Sequence, residues 1–151
     1  MTSSASFTDL RDIDAVAAVA AAAAADLDLI ARLHDRALIQ VGGDDARSFL
    51  HGLLTQNVET LAPGTLRYAA LLSPPGRLLS DVFLWGEEGG VTLDVPADQR
   101  DALLQRLAMY RLRAKVGIEP DEHLVFASWP GVALGFTPDP RTAGLGGRRR
   151  G

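Results

Sequence analysis

Between Leu66 and Val95 the chain carries three apolar, strand-like runs separated by nothing longer than a turn. Leu66–Leu72 and Leu78–Trp85 meet through Ser73-Pro74-Pro75-Gly76, and Glu87-Glu88-Gly89-Gly90 leads into Val91–Val95. Proline and glycine favour the dihedral angles of tight turns, so these gaps read as hairpins. A parallel crossover needs a dozen residues or more, which the gaps do not supply. Successive strands here run antiparallel, and a doubly wound sheet is excluded.

Helical patterns flank this block. Arg36–Val41 alternates and ends at Gly42-Gly43, a strand running into a turn. Asp44 or Asp45 then offers an N-cap, and Ala46, Phe49, Leu50, Leu53 and Leu54 fall on one apolar helical face. Pro96 opens a second helix, with Asp98 and Asp101 in the first turn, where the helix dipole favours acids. Leu103, Leu104, Leu107 and Ala108 form its buried stripe. Ala114–Ile118 and Leu124–Ser128 predict two more strands around Pro120-Asp121, and Val132–Phe136 a third. Helices and hairpins in this order imply an α+β fold: a largely antiparallel sheet with two packed helices.

Composition narrows the chemistry. The 151 residues contain no cysteine, which excludes a disulfide framework, a cysteine nucleophile and cysteine ligands for zinc or an iron–sulfur cluster. Four of the fifteen basic residues are Arg141 and Arg148–Arg150, so residues 1–140 carry 11 basic against 19 acidic side chains. An acidic body is a poor nucleic-acid footprint, and no direct nucleic-acid partner is expected. The run Ala15–Ala25 is too short to span a bilayer, and Asp9, Asp12 and Asp14 before it are wrong for a secretory or mitochondrial leader. An Ala-rich helix from about Thr8 to Leu33, a cytoplasmic location and no membrane partner are expected.

Few residues announce a reaction. His34, His51 and His123 lack metal-ligand spacing, and the chain has no phosphate-binding glycine loop or nucleophile elbow. Gly42-Gly43 precedes a helix, but Asp44 and Asp45 would repel an anion there. Two segments stand out. Thr55, Gln56 and Asn57 interrupt an apolar face, where they cap a helix end or meet a ligand. Asp81 lies mid-strand among apolar neighbours, where a carboxylate needs a partner, a ligand or solvent.

The same segments carry a resemblance. Asp35-Arg36-Ala37-Leu38-Ile39 with Val41-x-Gly43, then Phe49-Leu50-x-Gly52-x-Leu54-Thr55-x-Asn57-Val58, resembles the start of the YgfZ family. The likeness continues through Tyr68-Ala69-x-Leu71-Leu72, Gly76-Arg77-x-x-x-Asp81 and Tyr110-x-Leu112-Arg113-x-Lys115-Val116. It closes with Asp139-Pro140-Arg141 and Leu145-Gly146, and covers roughly residues 33–146. The family consists of folate-binding, iron–sulfur-maintenance proteins related to the T-protein, the aminomethyltransferase of glycine cleavage. The match is to its N-terminal half only. The motif Lys-Gly-Cys-Tyr-x-Gly-Gln-Glu of the other half is absent, so a truncated, non-functional half is one expectation kept open.

Composition marks an Ala-rich helical extension over 1–33 and a disordered Gly/Arg-rich tail over 139–151, and the resemblance implies a folate-binding-type α+β domain over 34–138 between them. The resemblance also implies tetrahydrofolate as cofactor, partners among iron–sulfur assembly or client proteins, and a link to tRNA modification. Thr55, Asn57, Tyr68 and Asp81, with Arg77, are the candidate folate residues. Tyr68 offers a flat ring, and Thr55 and Asn57 offer donors and acceptors for a pterin edge. Arg113 and Lys115 are candidates for a glutamate tail. Ser80 stands where the T-protein has the first of two acids, which favours a non-catalytic binding module over an aminomethyltransferase-like enzyme.

Overall fold

A computed structural model describes residues 28–151, so the expectations for the N-terminal Ala-rich run lie outside the described residues. Its strands are β1 (Leu29–Arg32), β2 (Arg36–Gly42), β3 (Leu66–Leu72), β4 (Leu78–Glu87) and β5 (Gly90–Pro96), then β6 (Gly117–Asp121), β7 (Val125–Trp129), β8 (Thr137–Pro138) and β9 (Gly147–Arg150). The helices are α1 (Ala46–His51) and α2 (Arg100–Arg111), the latter entered through a 3₁₀ turn at Ala97–Gln99. The described residues form two compact units, 35–122 and 28–34 with 123–151. Composition predicted a different division, at 33/34 and 138/139.

The first unit is a five-stranded sheet in the order β3-β4-β5-β2-β6, with every neighbouring pair antiparallel. Strand alternation sends Ile39, Val41, Ala69, Leu71, Val82, Leu84, Leu93 and Val95 into one core with Leu50 of α1 and Leu103 and Leu107 of α2. The α+β class read from the hairpins is the observed one. The opposite face is also covered at its centre, where Leu38, Phe83, Thr92 and Asp94 are buried. Strand β5 is thus buried on both sides along Gly90–Val95.

Differences from the predicted elements have local causes. Helix α1 stops at His51, leaving Leu53 and Leu54 outside it. Thr55 draws the chain onto β3, donating its N–H to the Ala70 carbonyl and accepting the Ala70 N–H at Oγ1. Asp45 is the N-cap residue, but its Oδ2 accepts the Lys115 N–H at 2.7 Å rather than capping α1. Gly43 makes that approach possible: its φ is +113°, and a Cβ there would sit 2.4 Å from the Lys115 carbonyl oxygen. The strand predicted at Ala114–Ile118 begins only at Gly117, because residues 112–116 form the turn out of α2. Pro120 does not break β6, an edge strand where a missing N–H is tolerated.

The second unit is a four-stranded sheet in the order β1-β7-β9-β8. Leu29–Arg32 is strand β1, not the end of a helix, pairing antiparallel with β7. Val132–Phe136, predicted as a strand, is instead a turn in which Phe136 N–H donates to the Ala133 carbonyl. Residues 139–151, expected to be disordered, contain β9 and the buried side chains of Asp139 and Arg148. Arg141 grips Asp139 through two side-chain bonds at 2.9 and 2.7 Å. Burial alone would raise the Asp139 carboxyl. The hydrogen bonds from Arg141 and the charges of Arg141 and Arg148 outweigh that and hold it below its ordinary value.

Candidate functional site

The face of the five-stranded sheet turned away from the helices carries a polar cluster on an aromatic floor. The β3–β4 register sets Tyr68 opposite Phe83 and Ala70 opposite Asp81, so Tyr68, Phe83 and Asp81 share that face. The Tyr68 and Phe83 rings lie 4.8 Å apart between centroids, tilted by 53°. The Tyr68 hydroxyl donates to Asp81 Oδ2 at 3.4 Å, a long bond.

Arg36, at the start of β2, reaches across β5 to complete the cluster. Its Nε donates to Asp94 Oδ1 at 2.7 Å and one terminal nitrogen donates to the Asp94 carbonyl, also at 2.7 Å. The other terminal nitrogen reaches both Asp81 oxygens, at 3.3 and 3.4 Å. The guanidinium carbon lies 5.4 Å from the Phe83 ring centroid, within cation–π range. The Asp94 side chain is fully buried and that of Arg36 is 10% exposed, whereas that of Asp81 is 37% exposed. Two carboxylates therefore differ sharply: Asp94 anchors the guanidinium inside, and Asp81 faces water with its orientation set from below.

The structure brings together only part of the predicted set. Tyr68 and Asp81 meet. Thr55 instead fastens onto β3 through Ala70 and lines a cleft of about 420 Å³ with Leu54, Leu72, Pro74 and Tyr110. Asn57 turns its Oδ1 to the Thr60 N–H, closing its own turn. Arg77 is exposed in the β3–β4 connection, its backbone N–H donating to Ser73 Oγ. Arg113 and Lys115 are exposed in the turn after α2, not on a strand. Ser80 is buried on the opposite face from Asp81. The cluster members missed by the sequence reading are Arg36 and Asp94. A charged residue inside each alternating run was the available signal.

His51 accepts the Val58 N–H at Nδ1, a structural contact. Among the described residues no group of three or more His, Asp or Glu side chains is placed to hold a metal ion, and no helix is long and apolar enough to cross a membrane.

No protein-family model matches the chain. It is 36% identical over 146 residues to the human protein named iron–sulfur cluster assembly factor IBA57, mitochondrial, an alignment covering 78% of this chain and 41% of the human one. It is 39% identical over 126 residues to the IBA57 homologue of Coccidioides immitis, covering 72% and 30%. The chain thus spans well under half the length of these relatives. In structure it is similar to the glycine cleavage system aminomethyltransferase T of Bartonella henselae, with a TM-score of 0.62 and 24% identity over 67% of this chain and 28% of that one. The chain is similar in sequence to the IBA57 iron–sulfur cluster assembly factors, and it shares its fold with part of aminomethyltransferase T.

Proposed function

We propose that the chain is a tetrahydrofolate-binding module of YgfZ type that serves iron–sulfur cluster assembly or repair and, through cluster supply, tRNA modification. The observation that carries the folate part is the Tyr68–Asp81–Arg36–Asp94 cluster. An exposed carboxylate beside a tyrosine ring fits the donor edge and flat face of a pterin, and the buried Arg36–Asp94 pair fixes the carboxylate in place. When bound, folate would supply a one-carbon carrier. Asp81 would accept hydrogen bonds from the pterin, Tyr68 would stack, and Arg36 would orient Asp81. The assembly role is supported by the names of the relatives.

We read the module as non-catalytic. Ser80 is buried on the core face, so this chain has one carboxylate at the cluster hairpin where aminomethyl transfer was expected to use two. The compartment is part of the proposal. We keep the cytoplasm as the proposed compartment, although the relatives carry "mitochondrial" in their names. Calorimetric titration with tetrahydrofolate tests the binding reading. Fractionation of cells expressing the tagged chain tests its location. Restoration of iron–sulfur enzyme activity in cells depleted of their own assembly factor tests the cluster role.

A further inference from the structure

The cleft beside Thr55 lies within the first unit and takes no part in the Tyr68–Asp81 cluster. Three stretches of chain meet around it: Leu53 and Leu54 after α1, Leu72 to Pro74 leaving β3, and Tyr110 in the last turn of α2. Its volume of about 420 Å³ falls in the range of small-molecule sites. Leu72, 37% exposed, and its register partner Leu78, 66% exposed, carry the apolar wall outward. No acidic side chain is among the described residues that line it.

The side-chain polar groups of the cleft are hydroxyls, and two are set up to donate. Tyr110 accepts a guanidinium N–H from Arg106, one helical turn earlier, at 3.3 Å. Ser73 Oγ accepts the Arg77 backbone N–H at 3.1 Å. Each oxygen thus has a lone pair engaged, while neither hydroxyl hydrogen has an acceptor among the described residues. The cation behind Tyr110 polarises its O–H and strengthens it as a donor. Thr55 differs, since Ala70 already engages its hydroxyl oxygen and its N–H, and it serves as wall. An apolar hollow whose polar groups offer hydrogens, with positive charge behind one of them, is complementary to an oxyanion on an apolar body.

We propose that this cleft binds a small monocarboxylate with a branched or cyclic apolar body. The body lies against Leu53, Leu54, Leu72 and Pro74, and the carboxylate accepts from the Tyr110 and Ser73 hydroxyls with Arg106 behind. One negative charge matches one guanidinium and two hydroxyls, whereas a phosphate dianion calls for more donors than the cleft holds. The site shares no residue with the Tyr68–Asp81 cluster, so it stands independently of the folate reading.

The test uses the full 151-residue chain, labelled with nitrogen-15 and without folate. It is titrated with 4-methylpentanoate, with cyclohexanecarboxylate and with the neutral 4-methylpentanamide. Saturating amide shifts are expected at Leu54, Ser73 and Tyr110, with a dissociation constant near ~1 mM for at least one carboxylate. The neutral amide should bind about tenfold more weakly, because it makes no charge-assisted hydrogen bond. Tyr110→Phe keeps the ring and removes the donor, and should weaken carboxylate binding by about tenfold. Arg106→Met keeps the length of the side chain and removes the charge, and should do the same. Unchanged dispersion of the amide spectrum shows that each variant is folded. Equal binding of the neutral amide, or undiminished binding by either variant, overturns the proposal. So does the absence of shifts at these residues up to about 10 mM, because fragment-sized ligands of a formed site bind more tightly than that.

Discussion

Arg36 and Asp94 are joined by two hydrogen bonds of 2.7 Å, one to the side chain and one to the main chain of the same aspartate. Because Asp94 is wholly buried, this pair is a structural anchor before it is anything else. Removing one member leaves the other charge stranded in the sheet. Asp94→Ala is expected to lower unfolding stability by about 3–5 kcal/mol. Urea denaturation followed by circular dichroism measures this. A loss under about 1 kcal/mol would mean the pair is a surface contact in practice.

Asp81 should behave differently, being more than one-third exposed and at the outer end of the same network. Asp81→Asn is expected to cost less than about 1 kcal/mol of stability. It should nevertheless weaken tetrahydrofolate binding by about tenfold, the effect of losing one charge-assisted hydrogen bond. Wild-type affinity itself should lie between high-micromolar and roughly millimolar, since an exposed cluster buries little of its ligand. Calorimetry with both proteins decides this, and undiminished binding by Asp81→Asn would remove the folate reading from this cluster.

Aminomethyl transfer from a lipoyl carrier to tetrahydrofolate is expected to be undetectable. Restoring the missing acid by Ser80→Asp should not create it, because position 80 faces the core. That variant should lose about 1–3 kcal/mol or more from burying an unpaired polar group. Product assay by mass spectrometry, run beside a thermal melt, would expose the error if activity rose instead.

Asp139 gives the chain a defined acid sensitivity. Its carboxyl is held below the ordinary 3.8 in the folded state. A depressed carboxyl contributes stability above its unfolded value, and that contribution is lost as pH falls through the lower folded value. The loss should therefore fall mainly below about pH 4, the unfolded carboxyl value. Denaturant midpoints measured across that range for wild type and Asp139→Asn should converge as pH drops. Parallel curves would show that the Arg141 contact contributes nothing.

Gly43→Ala should destabilise the first unit by about 1–3 kcal/mol, the usual cost of an unfavourable positive φ. The backbone of Lys115 stands where the new methyl would go, so relief requires moving the turn after α2. An unchanged melting temperature would show that this turn yields freely.

The hairpins were legible because alternation and turn residues act locally: β2 to β5 sit within two residues of their predicted bounds. The demand of Asp81 for a partner was legible too, as a carboxylate in an apolar run. The partner was not. Arg36 lies 45 positions away, and only the strand order places it across β5 from that carboxylate. Asn57 and Thr55 misled for the reason given by their chemistry: short polar side chains serve their own backbone as readily as a ligand. Strand β9 was hidden because Gly-Arg-Arg-Arg has no apolar period. Its order comes from pairing with β7 and β8, not from its own composition.

Both rims of the five-stranded sheet are obstructed at particular positions. At β6 the edge carries Pro120, which has no hydrogen to offer an incoming strand. At β3 the donor and acceptor of Ala70 are already taken by Thr55, and Leu71 is bridged by Leu54. Open sheet edges are the templates from which fibrils and tangled dimers grow. A polar threonine that looked like a ligand contact is thus spent on the rim of its own sheet, where it takes the place an incoming strand would need.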